Sequence, residues 1–308
     1  MDFDHLFPDE REKGETRTRQ CQLVMLRMLK ILDYLCSKHK IEYFVTGGTM
    51  LGAIRHQGFI PWDDDLDVGM TRDNYDKFVQ NAVPELPNDI FFQTDETDSG
   101  YPSCHIMEAK LRDKYSSYSG KKDWHNGLQI DISIYDRAYL PHNFFIYLMN
   151  RSLLFFFKKK GNRKRAKVLR WISRYSPIPL VYSCSFIFGF EMVKLGTNYL
   201  KAKEIASVRR IKFEDMETFI PAGWNAYLGR RYGNYMQLPP IEKQRGHHSN
   251  NNYMQLAPSE KENLSETNIP DPFKPCNHKE ILQWESERII SNHNDSSIED
   301  IFYKSKLG

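Results

Sequence analysis

The chain has 308 residues, 40% hydrophobic and 13% aromatic, which is enough to bury a sizeable core in one large domain or two. Its five cysteines are scattered and form no Cys-x-x-Cys pair, so the composition argues against a disulfide framework and against a zinc site. The sequence has no run of about 20 uncharged apolar residues, and its first residues lack the apolar core of a signal peptide. A protein of the reducing cytoplasm is therefore expected.

The formal net charge of +3 conceals one strongly basic segment. Residues 137–190 contain 11 Lys or Arg and no Asp or Glu, which leaves 32 basic and 40 acidic residues in the rest of the chain. Aromatic and basic runs follow each other over residues 144–174. This combination is typical of a peripheral contact with an anionic membrane, but also of a helical subdomain with a solvated basic face, and both interpretations stay open. No recognition motif for nucleic acid accompanies the charge, so that partner is not expected.

Helices and strands alternate through the first part of the chain. Residues 1–15 are polar and predict little order. Residues 16–39 carry apolar side chains at helical spacing, and Thr16 or Thr18 can cap that helix. The pattern then predicts a strand at 41–46, a short helix at 49–56, a strand at 66–70, and a helix at 72–82 capped by Thr71.

Three further strands are predicted, at residues 90–93, 105–112 and 128–135. In the last of these, apolar residues alternate with polar ones, so Asp131 lies on the polar face between two isoleucines. Aspartate is uncommon inside a strand. We therefore expect it to be either a site residue or an aspartate that faces water at a sheet edge.

The C-terminal third is less regular. The pattern predicts a helix at 202–210, a strand at 212–215, a strand and turn at 219–223, and a helix at 224–232 that ends at Gly233. Residues 234–243 recur in similar form at 252–261, which indicates a local duplication. Residues 258–308 are rich in Ser, Asn, Glu and Pro and predict a loosely attached tail with one helix at 280–290.

The strongest functional signal is the stretch from residue 47 to residue 69. Gly47 and Gly48 follow a predicted strand and open a helix, where backbone N–H groups can bind a phosphate. Four carboxylates then occupy five positions: Asp63, Asp64, Asp65 and Asp67. In an extended chain the three odd-numbered aspartates would point to one face, and like charges at this spacing need a cation or many hydrogen bonds. Such oxygen ligands favour Mg²⁺ or Mn²⁺, so the stretch predicts metal-dependent transfer at phosphorus.

The same residues carry a family resemblance. Residues 43–56 and 58–67 strongly resemble the LicD family of phosphotransferases, which includes fukutin and the fukutin-related protein. The similarity continues at residues 109–113, 130–132, 232–235 and 238–240, and it extends over residues 20–248. It implies an α+β fold with a nucleotidyltransferase-like mixed β-sheet core and flanking helices. We expect a catalytic core at 16–136, a helical basic aromatic insertion at 137–200, the C-terminal part of the catalytic region at 201–248 and a loosely structured tail at 249–308. The basic aromatic segment matches the family only in position, and the tail lies outside the resemblance.

The resemblance also implies an activity. Family members transfer phosphocholine or another phospho-alcohol from a CDP-linked donor to a sugar hydroxyl, and CMP leaves. The acceptor would be a cell-surface glycan or its lipid-linked precursor. A lipid-linked acceptor would explain a cytoplasmic enzyme whose basic segment contacts the inner face of the membrane.

Site residues carry over from the family motif by position. Asp65 and Asp67 match the metal-binding pair, and Asp63 or Asp64 would add a ligand or a hydrogen-bond acceptor. Asp131 matches the third carboxylate and would accept the proton of the acceptor hydroxyl or ligate a second metal ion. We expect the donor phosphates to be bound by Gly47, Gly48, Thr49, Lys110 and Arg112, with Arg55 and His56 as further candidates.

Two other functions stay open at this point. A nucleotidyltransferase that moves NMP onto a sugar phosphate or small molecule would need the same carboxylates and glycines. A non-catalytic binding protein could share the fold. The travelling alcohol is also open, because a choline-binding aromatic cage could use any of several candidates. These are Tyr115, Tyr118, Trp124, Trp224 and Tyr227.

Overall fold

A mixed β-sheet lies at the centre of the computed structural model, which describes residues 2–94, 96–98, 100–101, 109–118, 124–138, 181–184, 199–244, 246 and 270–276. Among these residues the strands are β1 (Phe44–Val45), β2 (Asp67–Thr71), β3 (Ile90–Gln93), β4 (Ala109–Asp113), β5 (Ser117–Tyr118), β6 (Gln129–Ala138), β7 (Val181–Cys184), β8 (Tyr199–Lys201), β9 (Val208–Phe213), β10 (Met216–Pro221) and β11 (Pro270–Asp271). The main sheet runs in the order β1-β2-β6-β4-β3, and β7 and β8 extend it from β6. Strands β2 and β6 are parallel, and the other neighbours are antiparallel.

Helices flank this sheet, which confirms the predicted α+β class. They are α1 (Phe3–Leu6), α2 (Arg17–Lys38), α3 (Gly47–Arg55), α4 (Arg72–Lys77), α5 (Ala202–Ile205) and α6 (Trp224–Tyr232). Short 3-10 turns occupy Arg11–Lys13, Val83–Glu85 and Ile241–Lys243, and Phe78–Ala82 is a π-helical turn. The helix predicted at 72–82 is thus divided into an α and a π part. Within the described ranges, no helix has the length and apolar character needed to cross a bilayer.

The long helix α2 forms as predicted because its apolar residues repeat on one side. Its 22 residues begin after Thr16, whose hydroxyl accepts a hydrogen bond from the Arg19 N–H at 3.1 Å. Leu29, Leu32 and Leu35 are completely buried in the core. Full burial of a leucine contributes about 1.5–3 kcal/mol, so this face holds the helix on the sheet.

The predictions for both ends of the chain need correction. Residues 2–15 were expected to have little order, yet Phe3 is buried and Arg11 is 6% exposed. The Arg11 guanidinium reaches Asp113 at 2.9 Å and also donates to the Pro272 carbonyl. Pro272 belongs to the predicted loose tail, but β11 pairs there with β5 and Cys276 N–H donates to the Lys114 carbonyl at 3.0 Å. These described residues of the tail are therefore docked against β5 and the residues next to it.

Other predictions are wrong in their boundaries or in their type. The helix expected at 202–210 ends at Ile205, and Val208–Phe213 is instead β9, which is paired over its whole length with β10. Tertiary pairing here outweighs a weak local helix preference. In the segment 137–200, expected to be helical, the described residues are extended as the end of β6 and as β7 and β8.

Several predicted strands have different lengths. The strand expected at 41–46 is reduced to β1, whereas β4 and β6 run on beyond residues 112 and 135. The strand at 90–93 and the helix at 224–232 match the prediction, and Gly233 ends that helix with a φ of 65°. The basic run 144–174, the second repeat copy at 252–261 and the helix expected at 280–290 lie outside the described residues.

Candidate active site

The first turn of α3 and two aspartates lie in direct contact. Gly47 has a φ of +57°, and a Cβ there would lie 2.7 Å from Asp67 Oδ2. At Gly48 a Cβ would lie 2.9 Å from Asp63 Oδ2. The positive φ requires glycine at position 47, and at both positions an added Cβ would displace the aspartate side chain that approaches the helix start. The first backbone donor within the helix is Met50, which leaves the N–H groups before it directed beyond the helix end.

One row of polar side chains crosses the sheet beside this turn. Asp67 is the register partner of Asp131, Asp131 is the partner of Lys110, and Lys110 is the partner of Gln93. Directly opposed residues on neighbouring strands point to the same face. The two carboxylates therefore meet on one face. Because β6 lies between β2 and β4, the alternative of a sheet-edge Asp131 facing water is wrong.

Asp63, Asp65 and Asp67 were predicted to share one face of a single strand. They do not lie on one strand, although their side chains come close together. Residues 63–66 are irregular and β2 begins only at Asp67. Asp63 and Asp65 are joined by a side-chain hydrogen bond, and Asp65 also feels the charge of Asp131. Asp64 is completely buried and lies on another side, where a Cβ on Gly246 would be 2.6 Å from its Oδ2.

Burial and mutual repulsion dominate the electrostatics of the carboxylates. Burial, followed by the charges of Asp64 and Asp67, raises the pKa of Asp63 from 3.8 to about 7. Burial and the neighbouring carboxylates raise the pKa of Asp65 and Asp67 well above 3.8. A cluster of this kind is stabilised by bound protons or by a cation.

The donor set fits a magnesium ion that is completed by its substrate. Asp63, Asp65 and Asp67 offer hard oxygen atoms and are half-buried, so a ligand can still reach them. Within the described part of the chain, no group of three or more Asp, Glu, His or Cys side chains is arranged to hold a metal ion by itself. Mg²⁺ is commonly bound by one or two carboxylates together with phosphate oxygens and water, so a pair of these aspartates would need a bound phosphate and water to complete the ligand set.

Comparisons with known proteins place these residues in a family. A family model described as LicD/FKTN/FKRP, nucleotidyltransferase domain, matches residues 40–147. The lipopolysaccharide cholinephosphotransferase LicD of Haemophilus influenzae is 30% identical over 255 residues, which cover 75% of this chain and 95% of that protein. The chain belongs to the LicD family. Shorter stretches of the chain are similar to two uncharacterized proteins. One, from Rickettsia prowazekii, is 36% identical over 78 residues, which cover 25% of this chain and 29% of that protein. The other, from Rickettsia typhi, is 43% identical over 64 residues, which cover 21% of this chain and 20% of that protein.

Lys110 and Arg112, the two side chains of β4 that were predicted to bind the donor phosphates, lie within the matched LicD-family domain. Each of them contacts other residues of the protein. The Lys110 ammonium forms a buried ion pair with Asp131 Oδ1. Burial lowers the pKa of Lys110, and the charge of Asp131 opposes that fall. Arg112 donates to Gln93 Oε1 and to the Gly127 carbonyl, both at 2.7 Å. These contacts support the sheet and the carboxylate row.

The remaining predicted site residues flank the turn. Thr49 accepts the Asp67 N–H at 2.8 Å and so joins α3 to β2. Arg55 donates to His56 at 2.9 Å and to the Tyr235 carbonyl at 3.0 Å, which ties the end of α3 to the loop after α6. Burial and the charge of Arg55 lower the pKa of His56. The two histidines at 247 and 248 lie outside the described residues.

Sequence reasoning missed a network of hydrogen-bonded side chains beside the turn, to which α6 and β6 contribute. The Thr46 hydroxyl lies 2.9 Å from the Tyr135 hydroxyl and 3.3 Å from the Tyr227 hydroxyl. Arg231 Nη1 donates to the Tyr227 hydroxyl at 3.1 Å. The available signal was the spacing of Tyr227 and Arg231, which places them on one face of a helix that the sequence does predict.

The aromatic residues considered for a choline cage are distributed over different places. Tyr118 is buried and its hydroxyl lies 3.5 Å from the Asp64 carbonyl, so it and Tyr227 border the site. Tyr115 is 55% exposed. Trp224 packs edge-on against Tyr235, with 6.5 Å between the ring centroids.

Proposed function

We propose that this LicD-family protein transfers phosphocholine, or another phospho-alcohol, from a CDP-linked donor to a sugar hydroxyl of a cell-surface glycan or its lipid-linked precursor, and releases CMP. The similarity to the lipopolysaccharide cholinephosphotransferase of Haemophilus influenzae supports phosphocholine as the transferred group and lipopolysaccharide as the acceptor. The observation that supports the chemistry best is the pairing of Asp67 with Asp131 beside the glycine turn of α3.

The aspartates beside the start of α3 would bind the metal ion. Asp65 and Asp67 would hold Mg²⁺ or Mn²⁺, with Asp63 as an additional ligand or acceptor. When bound, the ion neutralises negative charge on the diphosphate and on the departing CMP. The N–H groups of Gly47 and Gly48, at the positive end of α3, would bind phosphate oxygens of the donor.

Proton transfer is assigned to Asp131. The acceptor oxygen attacks the phosphorus of the phospho-alcohol, the bond from that phosphorus to the oxygen of CMP breaks, and CMP leaves with the electron pair. The proton of the acceptor hydroxyl passes to Asp131, whose partner Lys110 favours the ionised carboxylate before attack. General bases of this kind contribute typically about 10²–10⁴-fold to the rate.

A donor panel tests this proposal. CDP-choline, CDP-ethanolamine, CDP-glycerol and CDP-ribitol would each be incubated with Mg²⁺ and a glycan acceptor, with CMP release as the readout. Asp67→Asn should lower CMP release by about three orders of magnitude, since it removes a metal ligand. Asp73→Asn, an exposed aspartate at the start of α4, is the matched control and should keep full activity. Near-full CMP release by the Asp67 variant with every active donor would contradict the metal assignment.

A labelled donor distinguishes the proposed transfer from the alternative enzymatic function, that of a nucleotidyltransferase. With a donor labelled in both halves, phosphocholine on the acceptor supports the proposed transfer, whereas a nucleotide on the acceptor would indicate a nucleotidyltransferase. A protein that binds Mg²⁺ and CDP-choline without releasing CMP would be a non-catalytic binding protein.

Contact with an anionic membrane through residues 144–174 stays a prediction from sequence. Flotation with liposomes that contain anionic lipid should recover the protein at low salt, and replacing residues 158–160 with serine should weaken that binding. Absence of flotation at low salt would contradict it.

A further inference from the structure

The diphosphate of the donor needs cationic partners, and the two cations predicted for it are engaged elsewhere. Lys110 is 9% exposed and is paired with Asp131. Arg112 is 4% exposed and donates to Gln93 and to the Gly127 carbonyl. A phosphate that bound either side chain would have to disrupt buried contacts, and buried donors and acceptors are costly to leave unsatisfied. The cation that faces the donor is therefore expected on another element.

Arg231 is a half-buried cation on α6, next to the start of α3. Its Nη1 donates to the Tyr227 hydroxyl at 3.1 Å, and that hydroxyl lies 3.3 Å from the Thr46 hydroxyl. Thr46 directly precedes Gly47, and its N–H donates to the Asp67 carbonyl at 3.1 Å. Two hydrogen bonds thus connect the guanidinium to the turn at which the donor phosphates are proposed to bind.

Arg231 and Asp67 also affect each other's pKa. Burial disfavours the charge of Arg231, but the neighbouring tyrosines and Asp67 outweigh this effect and raise its pKa. Arg231 in turn opposes the rise in the pKa of Asp67. Asp67 is therefore within electrostatic range of both Arg231 and Lys110, and Arg231 is distinguished by its hydrogen-bonded connection to the turn before α3.

The orientation of α6 is fixed by the adjacent arginine. Arg230 donates to both carboxylate oxygens of Glu204, each at 2.7 Å. This bidentate pair anchors α6 to α5. Two neighbouring arginines therefore have different partners, since Arg230 binds Glu204 whereas Arg231 binds the Tyr227 hydroxyl and also has a side-chain hydrogen bond with Tyr232.

We infer that Arg231 binds the diphosphate group of the donor, and that Tyr227 is the positioning residue that orients its guanidinium. The inference rests on the proposed function, since it concerns the donor of that reaction. A planar guanidinium can donate two parallel hydrogen bonds to phosphate oxygens, whereas lysine offers only a point charge. The ligand class that it favours is a nucleoside diphosphate or its ester.

Calorimetric titration of the full-length chain with CDP in the presence of Mg²⁺ tests this inference. Arg231→Met should weaken CDP binding about 10- to 100-fold, the range expected for lost hydrogen bonds to a charged group. Arg231→Lys should restore part of the affinity, and Tyr227→Phe should give a smaller loss without lowering the melting temperature by more than a few degrees. Arg209→Met is the matched control, because this arginine is exposed on β9, and it should bind CDP within about twofold of the wild type.

Three results would overturn the inference. Unchanged CDP binding by folded Arg231→Met would exclude contact with the diphosphate, and an equal loss in Arg209→Met would show a general charge effect. If Arg231→Met does not fold, Arg231→Lys decides, since wild-type affinity with lysine would exclude the bidentate contact. If the wild type binds CDP but releases no CMP from any donor of the panel, the proposed transfer is wrong. The CDP affinities of the Arg231 variants would still show whether Arg231 binds the diphosphate.

Discussion

Asp67 and Asp131 are register partners on the parallel strands β2 and β6. The pairing brings together two carboxylates that are far apart in the sequence, and Lys110 continues the same row from β4. Asp67 lies against the glycine turn of α3, whereas Asp131 is paired with a lysine. The two carboxylates therefore have different surroundings, which is the basis for the separate roles proposed for them, metal binding for Asp67 and proton transfer for Asp131.

Substitution of Gly47 tests whether the turn positions Asp67. Alanine there is strained at a φ of +57°, and its Cβ would lie 2.7 Å from Asp67 Oδ2. We expect Gly47→Ala to lower the free energy of unfolding by about 1–2 kcal/mol and to abolish most CMP release. Gly229→Ala is the control, because no atom lies within 4 Å of the added Cβ, and it should stabilise α6 by about 0.5–1 kcal/mol. Full activity of Gly47→Ala would contradict the assigned role of the turn.

The buried ion pair predicts unequal effects of its two partners. Lys110→Met leaves Asp131 and the nearby Asp67 without their closest cation in the row, and we expect a loss of about 3 kcal/mol in urea unfolding. Asp131→Asn should cost less, because it also relieves repulsion among the carboxylates. The double variant should be more stable than Lys110→Met and should remain inactive. A double variant whose loss equals the sum of the single losses would contradict this coupling.

The anchor of α6 predicts a pH dependence of stability. Burial alone would raise the pKa of Glu204, but hydrogen bonds from Arg230 and from the Lys201 N–H outweigh it and hold the pKa below 4.5. Because the folded pKa is the lower one, the stabilisation is complete above pH 4.5 and is lost as the pH falls through the folded pKa. Glu204→Gln should therefore be less stable than the wild type at pH 7, because it loses the charge-assisted hydrogen bonds from Arg230, and the difference in unfolding free energy should shrink as the pH falls through the folded pKa. Exposed Glu217→Gln should show neither effect.

The N-terminal segment predicts a stability effect far from the site. Arg11 is the cation for Asp113, which is 1% exposed, so Arg11→Met should lower the free energy of unfolding by about 3 kcal/mol. Lys13→Met removes a charge that is 71% exposed and should change it by less than about 0.5 kcal/mol. Guanidinium unfolding measures both variants. Equal stability of the two would mean that the pair of Arg11 with Asp113 does not stabilise the fold.

Local signals explain why much of the site was predictable. Helix α2, the turn at Gly47 and the helix ended by Gly233 follow from spacing, capping and glycine geometry, which depend on neighbouring residues. The alternation around Asp131 identified its strand and the polar character of its face. Membership of the LicD family was also visible in the motif itself.

Longer-range pairing explains what was missed. Strand β9 forms only because β10 supplies its partner, and β11 is held by β5 and by Arg11. Neither pairing leaves a periodic signal in its own segment. The role of Arg231 was missed for the same reason, since the Thr46 and Tyr135 hydroxyls that meet beside Tyr227 lie on other elements than the helix that carries Tyr227 and Arg231.

The sequence by itself determined the glycine turn, the run of aspartates and the kind of chemistry that they support, because each depends on residues that are adjacent in the chain. Only the tertiary structure decided which distant groups join them. The register of β2, β6 and β4 places Asp131 and Lys110 beside Asp67, and the packing of α6 brings Arg231 to the same turn. Register and packing are set by burial of the whole core, and no single stretch of the chain encodes them.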